Sequence, residues 1–167
     1  MSKGIKNGTL VFSNHTKKTD LLIDNEKIIQ IGDNLTGDEV IDAENCFVFS
    51  GFIDAHTHLD MPVSGTVTAD DFATGTAAAL VGGTTMIIDF ATQDRGHTLK
   101  EALDTWHKRA DGNSSCDYGF HMAVTDLNEQ TKKELFTMKK QGITSFKCYY
   151  AYDALKLDDS QMYEMLC

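Results

Sequence analysis

The chain has 167 residues, 41% of them hydrophobic and 24% charged, and these fractions exclude an intrinsically disordered chain, a collagen-like repeat and a long coiled coil. The 25 acidic residues outnumber the 15 basic ones and give a formal net charge of −10, which disfavours nucleic acid and anionic membranes as partners. No apolar run approaches the roughly 18 residues that span a bilayer, and the N-terminus lacks the apolar core of a signal peptide, so we expect a cytoplasmic globular protein with no membrane partner.

Residues 1–50 have the pattern of a small all-β segment. Short apolar runs alternate with polar turn residues, for example Asn25-Glu26 and Gly32-Asp33-Asn34. The expected strands are residues 8–12, 20–23, 27–31, 40–42 and 46–49. We treat this segment as a first domain, distinct from the rest of the chain.

From residue 51 onward, apolar strands alternate with helices at intervals of about 30 residues. The expected strands are residues 52–56, 84–90, 118–124 and 143–150, and the expected helices are residues 70–81, 98–110, 128–141 and 158–166. Asp70 and Thr98 are suitable helix N-caps, and Glu101 completes a capping box with Thr98. Four strand–helix units predict an α/β domain over residues 51–167, with parallel strands joined by right-handed crossovers.

The motif Asp54-Ala55-His56-Thr57-His58 closes the first of these parallel strands. Side chains alternate along a strand, so His56 and His58 are expected on the same face, where two imidazoles can bind one Zn²⁺ ion. The alternative is a pair of ordinary histidines at a strand end, because short motifs recur by chance. The strand before the motif and the polar loop of residues 59–69 after it favour the metal site, since α/β folds place active sites at the carboxyl ends of strands.

Lys147 lies inside the apolar run of residues 143–150, which predicts a buried strand. A buried ammonium needs a partner or loses its charge, and a neutral amine can react with CO₂ to give a carbamate that bridges two divalent metals. The alternative is a lysine that extends to solvent or pairs with a carboxylate. Lys147 alone favours that alternative, whereas its combination with His56 and His58 favours the metal.

Two further polar residues occur in predicted strands. Asp89 ends the second parallel strand and is expected to form hydrogen bonds across the mouth of the sheet. His121 lies in the middle of the third strand, where a core histidine with satisfied hydrogen bonds is favoured over a metal ligand.

These motifs together resemble the cyclic amidohydrolases, and within them the dihydropyrimidinase and D-hydantoinase branch. The resemblance covers essentially the whole chain. It is carried by residues 51–60, 61–72, 82–90 and 116–121, by residues 143–147, and by Ala151-Tyr152. Dihydroorotases and allantoinases share the two-histidine motif but typically follow it with an acidic-Pro-Gly stretch, which this sequence lacks.

The resemblance implies the first half, four β/α units, of a metal-dependent TIM-type barrel, preceded by a segment of a β-sandwich. It implies two divalent ions, most often Zn²⁺, with His56 and His58 as ligands of one ion and N6-carboxylated Lys147 as the bridge to the other. Tyr152 corresponds to a catalytic tyrosine that donates a hydrogen bond to the developing oxyanion. The implied reaction is hydrolytic ring opening of a dihydropyrimidine or a 5-substituted hydantoin, by a homo-oligomer that is commonly a tetramer.

The family takes two further histidines and an aspartate from later barrel strands, and the 167 residues end before them. We therefore expect the 167-residue chain to be inactive by itself. Two alternatives stay open: a relative that keeps the fold without catalysis, and a truncated half-barrel with partial metal binding. The retention of His56, His58, Lys147 and Tyr152 argues against the non-catalytic relative.

Overall fold

The computed structural model describes residues 1–63 and 65–167, and the chain divides into two units, residues 1–50 and 51–167. Ser64, which falls within the sequence motif of residues 61–72, lies outside the described residues. In the described part of the chain, every helix falls short of the length and apolar character that crossing a bilayer requires.

The first unit consists of short strands in two mixed sheets. The strands are β1 (Lys3–Lys6), β2 (Thr9–Val11), β3 (Thr16–Lys18), β4 (Asp20–Asp24), β5 (Lys27–Gly32), β6 (Glu39–Asp42) and β7 (Phe47–Val48). One sheet has the order β5-β4-β1-β6 and the other β3-β2-β7. Strands β1 and β3 were not expected from the sequence, because their lysine-rich segments carry no apolar alternation.

A buried aspartate stabilises this first unit. The Asp20 side chain, 8% exposed, accepts hydrogen bonds from the backbone N–H of Asn7 at 3.1 Å and of Leu35 at 3.2 Å. Because these two donors belong to the segments after β1 and β5, the carboxylate fixes both segments against β4.

The second unit is built on a parallel sheet, and the predicted alternation of strands and helices is confirmed. In chain order its elements are β8 (Phe52–Thr57), β9 (Pro62–Val63), β10 (Thr66–Val67), α1 (Phe72–Val81), β11 (Thr84–Thr92), α2 (Leu99–Ala110), β12 (Asp117–Val124), α3 (Glu129–Met138), a 3₁₀ turn (Lys139–Gln141), β13 (Phe146–Cys148) and α4 (Asp159–Leu166). The sheet order is β13-β12-β11-β8, with all neighbours parallel, so that the carboxyl ends of the strands lie along one edge.

Three local expectations are wrong. The fourth strand covers only Phe146–Cys148, because the chain leaves the ladder before Tyr149. Helix α1 is capped by Asp71, not Asp70: the Asp71 carboxylate accepts the Thr74 N–H at 2.7 Å, and Thr74 completes the capping box. The segment expected to be a polar loop after residue 58 contains the antiparallel pair β9 and β10.

The core of the second unit lies between the sheet and its helices. Along β11, Ile87, Asp89 and Ala91 are at most 2% exposed. Phe90 and Thr92 lie on the opposite face, because successive strand residues alternate. The capping box of Thr98 and Glu101 on α2 is confirmed, and this helix buries five side chains: Leu99, Ala102, Leu103, Trp106 and Ala110.

Candidate metal centre

Two histidines converge at the carboxyl end of β8. His56 lies within the strand and His58 one residue beyond its last position, Thr57. The pairing of β8 with β11 shifts register between Asp54 and Thr57, which adds one residue to β8. Such a bulge re-aims side chains locally, and the two Nε2 atoms come to lie 3.2 Å apart.

The separation of the two imidazole nitrogens fits a shared ion. Zinc–nitrogen distances of ~2.0–2.1 Å in a tetrahedral site separate two histidine nitrogens by about 3.3 Å. The same 3.2 Å separation allows a hydrogen bond between the rings when no ion is held. The donor set therefore fits a divalent, zinc-like cation.

The ring of Phe90 forms the wall behind these groups. Its centroid lies 4.6 Å from that of His56, 4.9 Å from that of His58 and 4.8 Å from that of His121. The Nζ atom of Lys147 lies 4.2 Å above the same ring. One aromatic side chain thus contacts both histidines and the lysine of the candidate site, a role that the sequence pattern did not reveal.

Lys147 is half-buried, on a strand that the apolar run around it had predicted to be buried. It lies on the short strand β13, and its Nζ atom faces the rings of Phe90 and Tyr149, the latter at 5.0 Å. Among residues 1–63 and 65–167, no carboxylate forms an ion pair with this ammonium. Cation–π contacts therefore take the place of the expected partner, and the amine stays accessible from the cleft.

The environment of His58 favours its neutral form. Burial lowers the pKa of the imidazole, the positive charge of Lys147 lowers it further, and the carboxylate of Asp89 opposes the shift. Its Nδ1 atom is buried and has no hydrogen-bond partner in the described part of the chain. A neutral imidazole is the form that binds a metal, so the site is electrostatically prepared for one.

The structure corrects one of the two other polar residues. Strand β11 continues past Asp89 to Thr92, and the buried Asp89 carboxylate bonds to the adjoining end of β8 and to α2, not across the mouth of the sheet. His121 is half-buried with both ring nitrogens satisfied, one by the carbonyl oxygen of Ala55 at 3.0 Å and the other by the hydroxyl of Ser145.

Tyr152 lies on the loop after β13, in a left-handed backbone conformation with φ of 68°. Its side chain is 72% exposed, and its ring packs edge-on against Tyr149 with centroids 6.4 Å apart. Arg95 fixes this loop, since its guanidinium donates to the carbonyl oxygens of Ala154 at 3.2 Å and Lys156 at 2.6 Å. No local sequence pattern indicates this role of Arg95, because its partners lie about 60 residues away.

One cleft of about 970 Å³ lies at the carboxyl edge of the sheet. His58, Lys147 and Tyr152 line it together with Tyr149. The described residues contain no cluster of three or more His, Cys, Asp or Glu side chains placed to hold a metal ion. The donors that the structure assembles are therefore two histidines and a nearby lysine.

Comparisons with known proteins agree on one family. The model of the amidohydrolase family matches residues 47–160. Among curated proteins, a D-hydantoinase of Geobacillus stearothermophilus is 50% identical over 99% of the chain and 36% of its own length, and a dihydropyrimidinase of Dictyostelium discoideum is 43% identical over 96% and 33%. The chain thus spans about a third of the length of these relatives.

Solved structures give the same result. A crystal structure of a D-hydantoinase superposes with a TM-score of 0.95 at 48% identity, over 99% of this chain and 37% of its own. A dihydropyrimidinase from Brevibacillus agri has a TM-score of 0.95 at 46% identity, with the same coverage. A dihydroorotase, 13% identical with a TM-score of 0.58, shares the fold. The parallel sheet is therefore the kind of half-barrel that these larger structures contain.

Proposed function

The chain belongs to the amidohydrolase family, a generally metal-dependent family, and from this premise we propose that it forms part of an enzyme that opens cyclic amides by hydrolysis. The observation that carries the proposal is the convergence of His56 and His58, with Nε2 atoms 3.2 Å apart. Relatives with the names D-hydantoinase and dihydropyrimidinase support the substrate class, five- and six-membered rings that contain an amide.

His56 and His58 would hold one divalent ion, most readily Zn²⁺, and Lys147 would link it to a second. The lysine amine adds to CO₂, which forms an N–C bond, releases one proton and leaves a carbamate with two oxygen donors. The Nζ atom of Lys147 supports this assignment, because it has no ion pair in the described part of the chain and lies over the same Phe90 ring that both histidines contact.

When bound, the ions supply Lewis acidity, which polarises a carbonyl and lowers the pKa of water to near neutrality. The protein's own residues then set the geometry of the reaction. Tyr152, on the rim of the cleft, would donate its O–H to the carbonyl oxygen as negative charge develops there. Addition of water and cleavage of the ring C–N bond would give an open-chain carboxylate, a neutral carbamoyl NH₂ group and one released proton.

The size of the cleft is compatible with these substrates. Its volume of about 970 Å³ is near the upper end of the range for small-molecule sites, and it exceeds what a single dihydropyrimidine ring needs. The remaining space extends along Met61, Pro62 and Val63, apolar residues beside His58. We propose the active form to be a homo-oligomer, and we expect the 167-residue chain alone to hydrolyse no dihydrouracil.

The test uses the full-length natural protein loaded with Zn²⁺, with dihydrouracil and a 5-substituted hydantoin as substrates. We expect turnover of at least one of them. H56A and H58A should lose bound metal and activity together, because each removes one of two converging ligands. A wild-type protein that binds no divalent ion, or an H58A protein that turns over substrate normally, would contradict the proposal.

The role of Tyr152 has a separate test. Y152F should keep its metal and lose roughly 10²–10³ in kcat, the usual cost of removing one donor to an oxyanion. Y150F is the matched control, since Tyr150 lies two residues earlier on the same loop and is 75% exposed. Equal kcat values for the two variants would remove Tyr152 from the mechanism.

A further inference from the structure

Asp89 is the most completely buried carboxylate near the candidate metal centre, with an exposed fraction of 0%. Four donors satisfy it. Its Oδ2 atom accepts from the Thr57 hydroxyl at 3.0 Å and the Leu59 N–H at 2.8 Å, and its Oδ1 atom from the Trp106 indole at 3.2 Å and the Phe90 N–H at 2.6 Å. No cation among the described residues pairs with it, so hydrogen bonds alone stabilise the buried charge.

The two donors on Oδ2 flank His58. Thr57 precedes it and Leu59 follows it, and strand β8 ends at Thr57. Asp89 pairs with Thr57 in the ladder between β11 and β8, and this is the last residue pair of that ladder. Beyond that point the backbone N–H of Leu59 has no strand to bond to, and the side chain of Asp89 accepts it instead.

The residue next to Asp89 completes the arrangement. Phe90 points to the other face of the sheet and packs against the His58 ring with centroids 4.9 Å apart. The dipeptide Asp89-Phe90 therefore fixes the backbone on both sides of His58 and the plane of its ring. The buried Nδ1 atom of His58 has no hydrogen-bond partner in the described structure. The orientation of the imidazole is therefore not set by a hydrogen bond to that nitrogen.

We propose that Asp89 is the positioning residue of the metal centre: it replaces the strand ladder beyond Thr57 and thereby holds His58 at the separation from His56 that one ion requires. The inference rests on the proposed function, because it needs His58 to be a metal ligand. It differs from the usual support of a metal-binding histidine, in which the carboxylate bonds to the ring nitrogen itself.

The test measures Co²⁺ and Zn²⁺ affinity by chelator competition, together with the visible spectrum of bound Co²⁺, in the full-length natural protein. D89N keeps the shape of the side chain but replaces one carboxylate oxygen by an NH₂ group. In either orientation of the amide, that NH₂ group faces two hydrogen-bond donors, those on Oδ1 or those on Oδ2 of the original aspartate. We expect its metal affinity to fall by about 10- to 100-fold, the range for outer-shell partners of metal ligands, and its Co²⁺ spectrum to change.

The matched control is D20N, which alters another buried aspartate that accepts two backbone N–H groups, in the first unit. It should lower the melting temperature while leaving metal affinity within about twofold of wild type. T57V removes one donor to the Oδ2 atom of Asp89 without changing side-chain size, and its metal affinity should fall severalfold. If D89N does not fold, T57V tests the role of Asp89 in its place.

The outcomes separate the two claims. Suppose that H58A has lost its metal. The role of Asp89 would then be overturned if folded D89N keeps the metal affinity and Co²⁺ spectrum of wild type. If D89N is unfolded, the same result in T57V would overturn it. Equal metal binding by wild type and H58A would instead overturn the metal site and, with it, this inference. A D20N protein that loses affinity as strongly as D89N would show a general effect of stability and would also overturn the inference.

Discussion

Gly51 begins the second unit at a place where no side chain fits. A Cβ atom on it would lie 2.1 Å from the Thr85 Oγ1 atom and 2.7 Å from the Thr85 Cβ atom. Because the Thr85 Cβ atom is attached to the backbone of β11, rotation of the side chain cannot relieve the second contact. We expect G51A to lower the free energy of unfolding by ~1–3 kcal/mol, measured by urea denaturation of the full-length protein.

Two variants control this prediction. G32A should be almost neutral, because a Cβ atom on Gly32 would meet nothing within 4 Å. T85A, combined with G51A, should recover part of the loss, since it removes the two outer atoms of the threonine. Full additivity of G51A and T85A would contradict the proposed contact.

Tyr118 donates its hydroxyl to the Asp111 carboxylate, and this bond, with burial, raises the pKa of Tyr118 to about 12. A folded-state pKa above the unfolded value of about 10 means that the stabilisation is fully present below pH ~10 and is lost as pH rises through about 12. We expect Y118F to unfold at lower urea than wild type at neutral pH, and the difference to shrink between pH 10 and 12.

The control for Tyr118 is Y163F, which alters a 70% exposed tyrosine on α4. The difference in unfolding urea concentration between Y163F and wild type should stay small and independent of pH. Ultraviolet titration of the phenolate groups gives a second measurement, in which Y118F should remove the component that titrates last. A Y118F difference that is constant from pH 9 to 12 would contradict the assignment.

At the scale of the elements, helix α2 depends on its N-terminal cap. The Thr98 hydroxyl accepts the Glu101 N–H at 3.1 Å, and the Glu101 carboxylate accepts the Thr98 N–H at 2.8 Å. We expect T98A to cost ~1 kcal/mol of unfolding free energy. T105A, on the same helix, removes a hydroxyl that bonds only to the preceding turn at Glu101 and should be almost neutral; equal losses would contradict the cap.

The loop that carries Tyr152 depends on Arg95. R95Q removes the bonds to the carbonyl oxygens of Ala154 and Lys156, and the loop then loses its connection to the segment after β11. We expect kcat to fall by roughly tenfold or more while metal content stays at the wild-type level, because His56, His58 and Lys147 are untouched.

K108Q is the control for R95Q, because it removes one positive charge from the exposed surface of α2. It should leave kcat unchanged. Loss of metal in R95Q would show that Arg95 supports the whole centre and would contradict a role confined to the Tyr152 loop.

The elements that could be predicted are those with a local signal. Apolar periodicity located the four parallel strands and their helices, and the Thr98 and Glu101 pair located one cap. Strand β13 was predicted too long, because Tyr149 and Tyr150 have the aromatic character typical of strand residues but belong to the loop that carries Tyr152. Asp70 was predicted to cap α1 in place of Asp71, because two adjacent aspartates differ as caps only in backbone geometry, which no short sequence pattern specifies.

The candidate site shows the same division. His56 and His58 could be paired because they lie two residues apart at a strand end, whereas the bulge in β8 that helps set their separation has no signal in the sequence. The roles of Asp89 and Phe90 could not be predicted, because their partners are distant: Asp89 bonds to Thr57, 32 residues earlier, and to Trp106, 17 residues later. Such contacts follow from the order of strands in the sheet and from helix packing, which no short pattern specifies.

At the scale of the whole molecule, the parallel sheet has two outer strands, β8 and β13. In the described residues each has a strand neighbour on one side only, and Ile53 on β8 is 60% exposed. Unpaired strand edges with apolar side chains promote association. We expect the purified 167-residue chain to form dimers or larger species, measured by size-exclusion chromatography with light scattering.

A charge on the edge should reduce this association. I53K introduces a lysine on β8, a common way in which natural sheets protect their edges, and should shift the population toward monomer. K17Q, on the exposed strand β3 of the first unit, is the control and should leave the distribution unchanged. A wild-type chain that stays monomeric at high concentration would contradict the prediction.

The order of strands in the parallel sheet is also related to the order in which the strands are synthesised. Each of β11, β12 and β13 pairs with a parallel strand that the ribosome made before it, so each of these three strands finds one neighbour already synthesised. Lys147 follows His58 by roughly 90 residues, an interval of roughly 5–20 s at ~5–20 residues per second. The nascent chain therefore contains both histidines, and the strand β11 that supports them, before Lys147 is added.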